Sequence, residues 1–235
     1  MSFLPGMFPA GMIAAQAAAA PASISYVGNV DSTANATSYS FAAAAIGAAV
    51  AGRKVVVGAL VRGVATAMTA TLAGSPMAQL GFIDGANASM ALFAIDEASL
   101  ATATIVIGGF GGGTPTACRI WIWNGFNCAS TPHSVGSAIA GSVVGPNWVW
   151  SASLNCPAGS VVAGVSSYVD GIAVGAQNTV WTGLTERQDS TIESTIAMAS
   201  AADTTLAAAN PSLSITSTVA IGGGPNGGGL LAVCL

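Results

Sequence analysis

The sequence predicts an all-β chain, a two-sheet antiparallel β-sandwich of jelly-roll-like type preceded by an extended apolar N-terminal arm. Three observations carry this. From residue 24 onward, short apolar segments alternate with clusters of Gly, Asn, Asp, Ser and Pro, the punctuation of a sandwich or barrel. Hydrophobic residues make up 52% of the 235 residues but aromatics only 6%, so the core is filled mainly by Ala, Val and Ile. In the long uncharged stretch 120–169, Asn124, Gly125, Asn127, Pro132, Gly136, Pro146, Asn155 and Pro157 interrupt any helix every few residues.

The first candidate strands are 24–29 and 37–41. Residues 53–62, RKVVVGALVR, are apolar on both alternating faces and so mark a central strand covered on both sides. Further candidates are 67–72, 77–82, 88–95, 101–108, 117–123, 147–153, 160–169, 180–186, 191–199, 212–220 and 230–235. The alanine runs 17–20 and 42–45 favour helix but are too short to stand alone, so one helical turn at most is expected there. These elements read as one sandwich domain over 23–235, after an arm over 1–22.

The arm begins MSFLPGMFPAGMIAAQ. A secretory signal needs a basic start and an unbroken apolar centre. Here no Lys or Arg precedes Arg53, and Pro5, Gly6, Pro9 and Gly11 break the apolar run. Free apolar termini fray unless something ties them down. Residues 1–16 are therefore expected to pack into a partner, with Phe3, Leu4, Met7, Phe8, Met12 and Ile13 as anchors.

Charge narrows the function. The chain has 5 Lys+Arg, 9 Asp+Glu and one His, and charged residues are 6% of it against roughly 25% in ordinary domains. Disorder needs low hydrophobicity and high charge, and nucleic-acid binding needs a cation for each neutralised phosphate. Neither agrees with this composition. A spanning helix is ruled out by the interruptions, and an outer-membrane barrel by the scarcity of aromatics for its girdles. Acid–base catalysis draws on side chains that are almost missing here.

Local motifs add little chemistry. The glycine clusters Gly108–Gly113 and Gly222–Gly229 run into strand-like segments rather than helices, so they read as loop tips and not phosphate cradles. His133 has no second imidazole for a zinc site. Asp96–Glu97 and Asp189/Glu193 read as solvated, and the segment from Asp84 to Asn87 as turn chemistry. No metal and no cofactor are expected. Cys118, Cys128, Cys156 and Cys234 read as small buried hydrophobes, with a bridge between Cys118 and Cys128 left open. The charge-rich run 185–193, TERQDSTIE, suits an exposed strand that discourages edge-to-edge aggregation.

Tryptophan offers the one site. Trp121 and Trp123 lie two apart on one strand, as do Trp148 and Trp150 on another, so each pair shares a sheet face, with Arg119 beside the first. Neighbouring strands would give a ladder of four indoles. Exposed, that ladder with Arg119 is a stacking platform for sugar rings; buried, it is the bulky part of a small-residue core or of a subunit interface.

Several segments resemble a β-sandwich family of tailed-bacteriophage virion structural proteins: 25–30, 38–41, AIGAAVAGRKVVVGALVRG at 45–63, TATLAGSPMAQL at 69–80, and TVWTGLTERQDSTIESTIAMASAA at 179–202. The FLPGMFPAGM-like arm is similar to short anchoring peptides of phage appendage proteins. The resemblance implies a decoration, fibre or spike subunit and supplies no catalytic residues. The expectation is a non-enzymatic virion structural protein in an extracellular particle assembled in the bacterial host cytoplasm. Its partners would be other virion proteins and copies of itself, as a trimer by analogy, with no nucleic acid and no membrane. Alternatives are a host-surface glycan-binding module using the tryptophan face and a secreted bacterial adhesin.

Overall fold

The computed structural model describes residues 20–85, 87–139, 141–144, 147–169, 178–192, 197–220 and 227–235. The nine strands of the N-terminal half are β1 (Ser23–Ser32), β2 (Tyr39–Ala45), β3 (Arg53–Arg62), β4 (Thr69–Leu72), β5 (Ser75–Pro76), β6 (Ala78–Asp84), β7 (Ala88–Asp96), β8 (Thr102–Gly108) and β9 (Ala117–Phe126). The C-terminal half contributes β10 (Ser134–Ala138), β11 (Ser142–Val144), β12 (Asn147–Cys156), β13 (Val161–Val169), β14 (Thr179–Thr182), β15 (Thr185–Ile192), β16 (Ala197–Thr205), β17 (Asn210–Ala220) and β18 (Gly227–Cys234). The chain is all-β, and its strand ladders are antiparallel.

The expected pair of sheets occurs twice. The N-terminal half forms an outer sheet β2-β8-β4-β5 and an inner sheet β1-β9-β3-β7-β6. The C-terminal half forms an inner sheet β10-β18-β13-β16-β15 and an outer sheet β11-β12-β17-β14. In each half the first strand pairs with the last, β1 with β9 and β10 with β18, which is jelly-roll winding.

The two sandwiches stack through their inner sheets into four layers. Alternate residues of β3 face opposite ways: Val55, Val57 and Val61 pack on Phe41 and Ile105 of the outer sheet, while Val56 and Leu60 join the core shared with Val161, Val165 and Leu231. The C-terminal inner sheet likewise turns Val162, Leu230 and Ala232 toward Trp150, Leu213 and Ile215. An inner strand with both faces covered needs apolar residues at every position, which is why 53–62 reads as a continuous apolar run.

The halves match in detail. Tyr39 and Trp148 stand opposite Ile107 and Val219, and Phe41 and Trp150 opposite Ile105 and Ser217, on the corresponding strands. The inner-sheet edge strands each carry one extra residue at the same place, between Gln79 and Gly81 in β6 and between Glu186 and Gln188 in β15. Gly52 and Gly159 lead into β3 and β13 with φ of 74° and 76°. Beside them, Glu97 N–H donates to Arg53 O at 3.0 Å, and Leu206 N–H donates to Ser160 O at 2.9 Å. The contacts across the stack are reciprocal too. Trp121 meets Gln188 of the other half, and its counterpart Leu231 meets Gly81, the counterpart of Gln188. Reciprocity of this kind is the mark of a two-fold relationship, here between two halves of one chain.

Some local expectations change. Residues 42–45 are no helical turn but part of β2, which shifts register between Phe41 and Ala44, with Ala43 at φ 50°. The segment 180–186 divides into β14 and β15, broken at Gly183 with φ 84°. The alanine run 17–20 lies outside the described residues except for Ala20. So do the anchors Phe3, Leu4, Met7, Phe8, Met12 and Ile13. At the root of the arm, Ala22 is buried in the shared core and its N–H donates to Gly159 O at 2.9 Å.

Candidate functional site

The four tryptophans do not form one ladder. β9 belongs to the N-terminal inner sheet and β12 to the C-terminal outer sheet. The C-terminal inner sheet runs between them, so Trp121 and Trp123 pack on one of its faces and Trp150 on the other. Trp121 and Trp123 are 0% exposed, Trp150 is 1% exposed and Arg119 2%. The sugar platform of the sequence reading is therefore corrected: these indoles are core, and only Trp148 is part-exposed. For Trp121 and Trp123 the reason is the second sandwich, which covers a face that would be outermost in a single one, whereas Trp150 lies between the two sheets of its own sandwich. Trp148 and Trp150 remain mutual neighbours, with ring centroids 6.3 Å apart.

Arg119 does share the face of Trp121 and Trp123, and all three bind across the stack. Its Nε donates to Asp31 Oδ1 at 2.6 Å and Nη2 to Asp31 Oδ2 at 2.5 Å. Nη1 then reaches the C-terminal half at Ser190 O and Oγ, both 2.9 Å, and Nη2 reaches Thr191 O at 3.0 Å. Trp121 Nε1 donates to Gln188 Oε1 at 2.6 Å, and Trp123 Nε1 to Asp203 Oδ2 at 3.0 Å. Asp203, itself buried, pairs with Arg187 at 2.7 Å. The bulky residues singled out from the sequence form a polar seam that fastens one sandwich to the other.

The remaining cations are also engaged internally. Buried Arg53 donates to five backbone carbonyls, those of Glu97, Ile46, Gly47, Ala48 and Leu100, and so ties two loops over the end of the N-terminal core. Lys54 pairs with Asp96 at 2.5 Å, and Arg62 donates to Thr116 Oγ1 at 3.2 Å. Glu97, with no cation in a salt bridge among the described residues, caps the following turn through Ser99 and Leu100 N–H. Hydrogen bonds from Ser99 hold its carboxyl below the usual range.

This leaves a simple charge map. Among the described strands, every Lys, Arg, Asp and Glu lies on an inner sheet. The outer sheets have none. Their outward faces carry Ser40, Thr71 and Val106 on one side and Ser151, Thr216, Thr218, Val180 and Thr182 on the other. The charged run 185–193 does sit on an edge, as expected, since β15 ends its sheet; Glu193 lies outside the described residues.

One cleft adjoins that edge. Asn178, Thr179, Val180, Trp181 and the segment from Glu186 to Asp189 line a space of about 760 Å³ between β14 and β15. Asp189 Oδ2 accepts the Thr179 N–H at 2.6 Å, whereas buried Oδ1 has no hydrogen-bond donor among the described residues. Burial raises the Asp189 pKa against the pull of that hydrogen bond, and it raises that of Glu186 with help from the Asp189 charge. The sequence suggests a solvated Asp189; its part-burial follows from β14 lying alongside β15, a contact no local pattern announces. Among the described residues no cluster of His, Cys, Asp and Glu suits a metal ion, and exposed His133 stands at the start of β10.

A scan of the chain against protein-family models finds no match, and a search among curated proteins finds none either.

Proposed function

We propose that the chain is a non-enzymatic structural subunit of a bacteriophage virion, a decoration- or fibre-type protein held to the particle by its N-terminal arm and packed against copies of itself and other virion proteins. One observation carries the reading: among the described residues, the strands of both broad outer sheets bear no charge, while the charges of the described strands sit on the inner sheets. Covering a face that bears no ion strips water from no charge, which avoids the desolvation penalty that buried ions impose. Interface centres are depleted of charge in the same way. Jelly-roll winding adds an analogy, since viral capsid and lectin domains use it, though a fold alone assigns no role.

The experiment compares particles made with the full chain and with a chain lacking residues 1–16. The truncated protein is expected to fold and to be missing from purified virions. Virions that incorporate it normally would overturn the role of the arm; virions that contain neither form would overturn the whole reading.

The cleft at β14 and β15 favours a second reading, binding of a host-surface glycan. Its lining offers amide, hydroxyl and carboxylate groups beside Trp181. Binding of host polysaccharide that is lost in Gln188→Ala and Asp189→Ala would support it, and wild-type protein that binds none would sink it.

A further inference from the structure

We propose that Cys156 and Cys234 close into a disulfide that joins the two sheets of the C-terminal sandwich when the chain meets an oxidising environment. The two are distant in sequence, and neither is the pair whose spacing suggests a bridge. Cys118 lies in the N-terminal core and Cys128 beside the core shared by the sandwiches, so that nearer pair is divided by the inner sheet.

The fold brings Cys156 and Cys234 together. Cys156 ends β12 on the outer sheet, opposite Asn210 of β17. Cys234 ends β18 on the inner sheet, opposite Val162. Both side chains point into the C-terminal core, where each is 0% exposed. The two thiols are within hydrogen-bonding reach of each other, and Cys234 Sγ lies 3.2 Å from Ser160 Oγ.

The two-fold relationship supports the contact independently. Asn124 stands opposite Val55 as Cys234 stands opposite Val162, on corresponding strands of the two halves. At that corner of the N-terminal sandwich, the Asn124 amide occupies the space where a side chain on Gly47 would begin. The chain at the end of β2 thus approaches the end of β9, as β12 approaches the end of β18, and only the C-terminal half places sulfur on both sides.

The chemistry is a two-electron oxidation by a low-molecular-weight disulfide such as oxidised glutathione. Two S–H bonds break, one S–S bond forms between Cys156 and Cys234, and the oxidant leaves as two thiols carrying the two protons. Burial pushes the Cys156 thiol up to about 12, so Cys156 carries little thiolate in the closed fold. The bridge therefore forms during folding or local opening. Such a bond suits a chain made in a reducing cytoplasm and used outside it.

The test refolds the full chain from urea with and without a mixture of reduced and oxidised glutathione, then alkylates in denaturant and maps peptides by mass spectrometry. Oxidative refolding is expected to leave two of the four cysteines open to alkylation, Cys118 and Cys128, and to yield a linked peptide containing Cys156 and Cys234. Cys234→Ser should then show all its remaining thiols alkylated. Dithiothreitol should lower the Tm of oxidised wild type and leave that of Cys156→Ala unchanged. Four alkylated cysteines after oxidation, or a linkage through Cys118 or Cys128, would overturn the proposal; the alkylation readout does not depend on any variant folding.

Discussion

Gly58 and Val165 are the same position in the two sandwiches, and they meet face to face across the stack. Gly58 stands opposite Trp121 and Leu92, Val165 opposite Leu231 and Ala201, on corresponding neighbours. A Cβ placed on Gly58 would lie 2.7 Å from Val165 Cγ1 and 3.1 Å from Trp123 Cζ3. The pseudo-two-fold axis passes beside this pair, and two valines could not both occupy it.

Gly58→Ala is accordingly expected to destabilise the chain by about 1–3 kcal/mol through overpacking. Adding Val165→Ala removes the methyl group in the way and should return part of that loss. Urea unfolding of the two single variants and the double variant measures the coupling. Strictly additive effects would show that the two residues do not compete for space.

Arg119→Met should cost roughly 2–3 kcal/mol, because the Ser190 and Thr191 carbonyls lose their donor and Asp31 loses its partner. Asp31 keeps about a third of its exposure, which limits the penalty. Arg119→Lys restores charge without the planar fork that spans both halves, and should recover little. Thermal melts that place Arg119→Met beside wild type would remove the seam from the account.

Asp189 sets a pH dependence whose sign follows from the direction of its shift. Burial raises its pKa in the fold above the value it has in the unfolded chain. The folded state then holds the proton more tightly, so stability falls as pH rises from the usual Asp value through the raised one. Glu186 acts in the same direction. Asp189→Asn should flatten this decline in Tm measured against pH, and an unchanged slope would contradict the assignment.

Indole burial gives a rapid optical check. Trp121, Trp123 and Trp150 are sealed in cores, so emission should be blue-shifted and most of it should resist acrylamide. Full quenching at modest acrylamide would mean that the cores themselves open in solution, because separation of the sandwiches uncovers Trp121 and Trp123 but leaves Trp150 between its own two sheets.

Residues 20–131 on their own should self-associate. Without the C-terminal half, Val56, Leu60, Trp121 and Trp123 lose their cover, and the equivalent face of a second copy is the nearest replacement. Analytical ultracentrifugation should find a concentration-dependent dimer. A well-folded, strictly monomeric fragment would argue against the shared core.

Much of this fold is legible in residues that act locally. The run 53–62 announces a strand covered on both sides, and its bounds coincide with β3. The short segments 134–138 and 142–144 pass unnoticed because SVGSA and SVV are no longer than a turn. The duplication is harder to see. Only AGRKVVVG at 51–58 and AGSVVAG at 158–164 keep a visible likeness, together with a glycine cluster before the last strand of each half. What the halves share is alternation and register, which many different small apolar residues satisfy. The tryptophan face is readable as a face, and Arg119 as its companion. Its burial is not, since the surface that covers it includes Gln188 and Asp203, 67 and 80 positions beyond their tryptophan partners, and depends on the number of sheets.

The one-extra-residue edge strands, the matching turns and the reciprocal contacts describe a dimer written into a single polypeptide. Two identical subunits joined by a true dyad must present the same ends to the world. A fused pair escapes that obligation: each end can diverge by mutation while the junction keeps its geometry. This chain has already used that freedom, with Trp121, Trp123, Gly58 and Gly81 on one side of the junction and Leu231, Val233, Val165 and Gln188 in the matching places on the other, so an object built from it can have polarity where a symmetric dimer would have none.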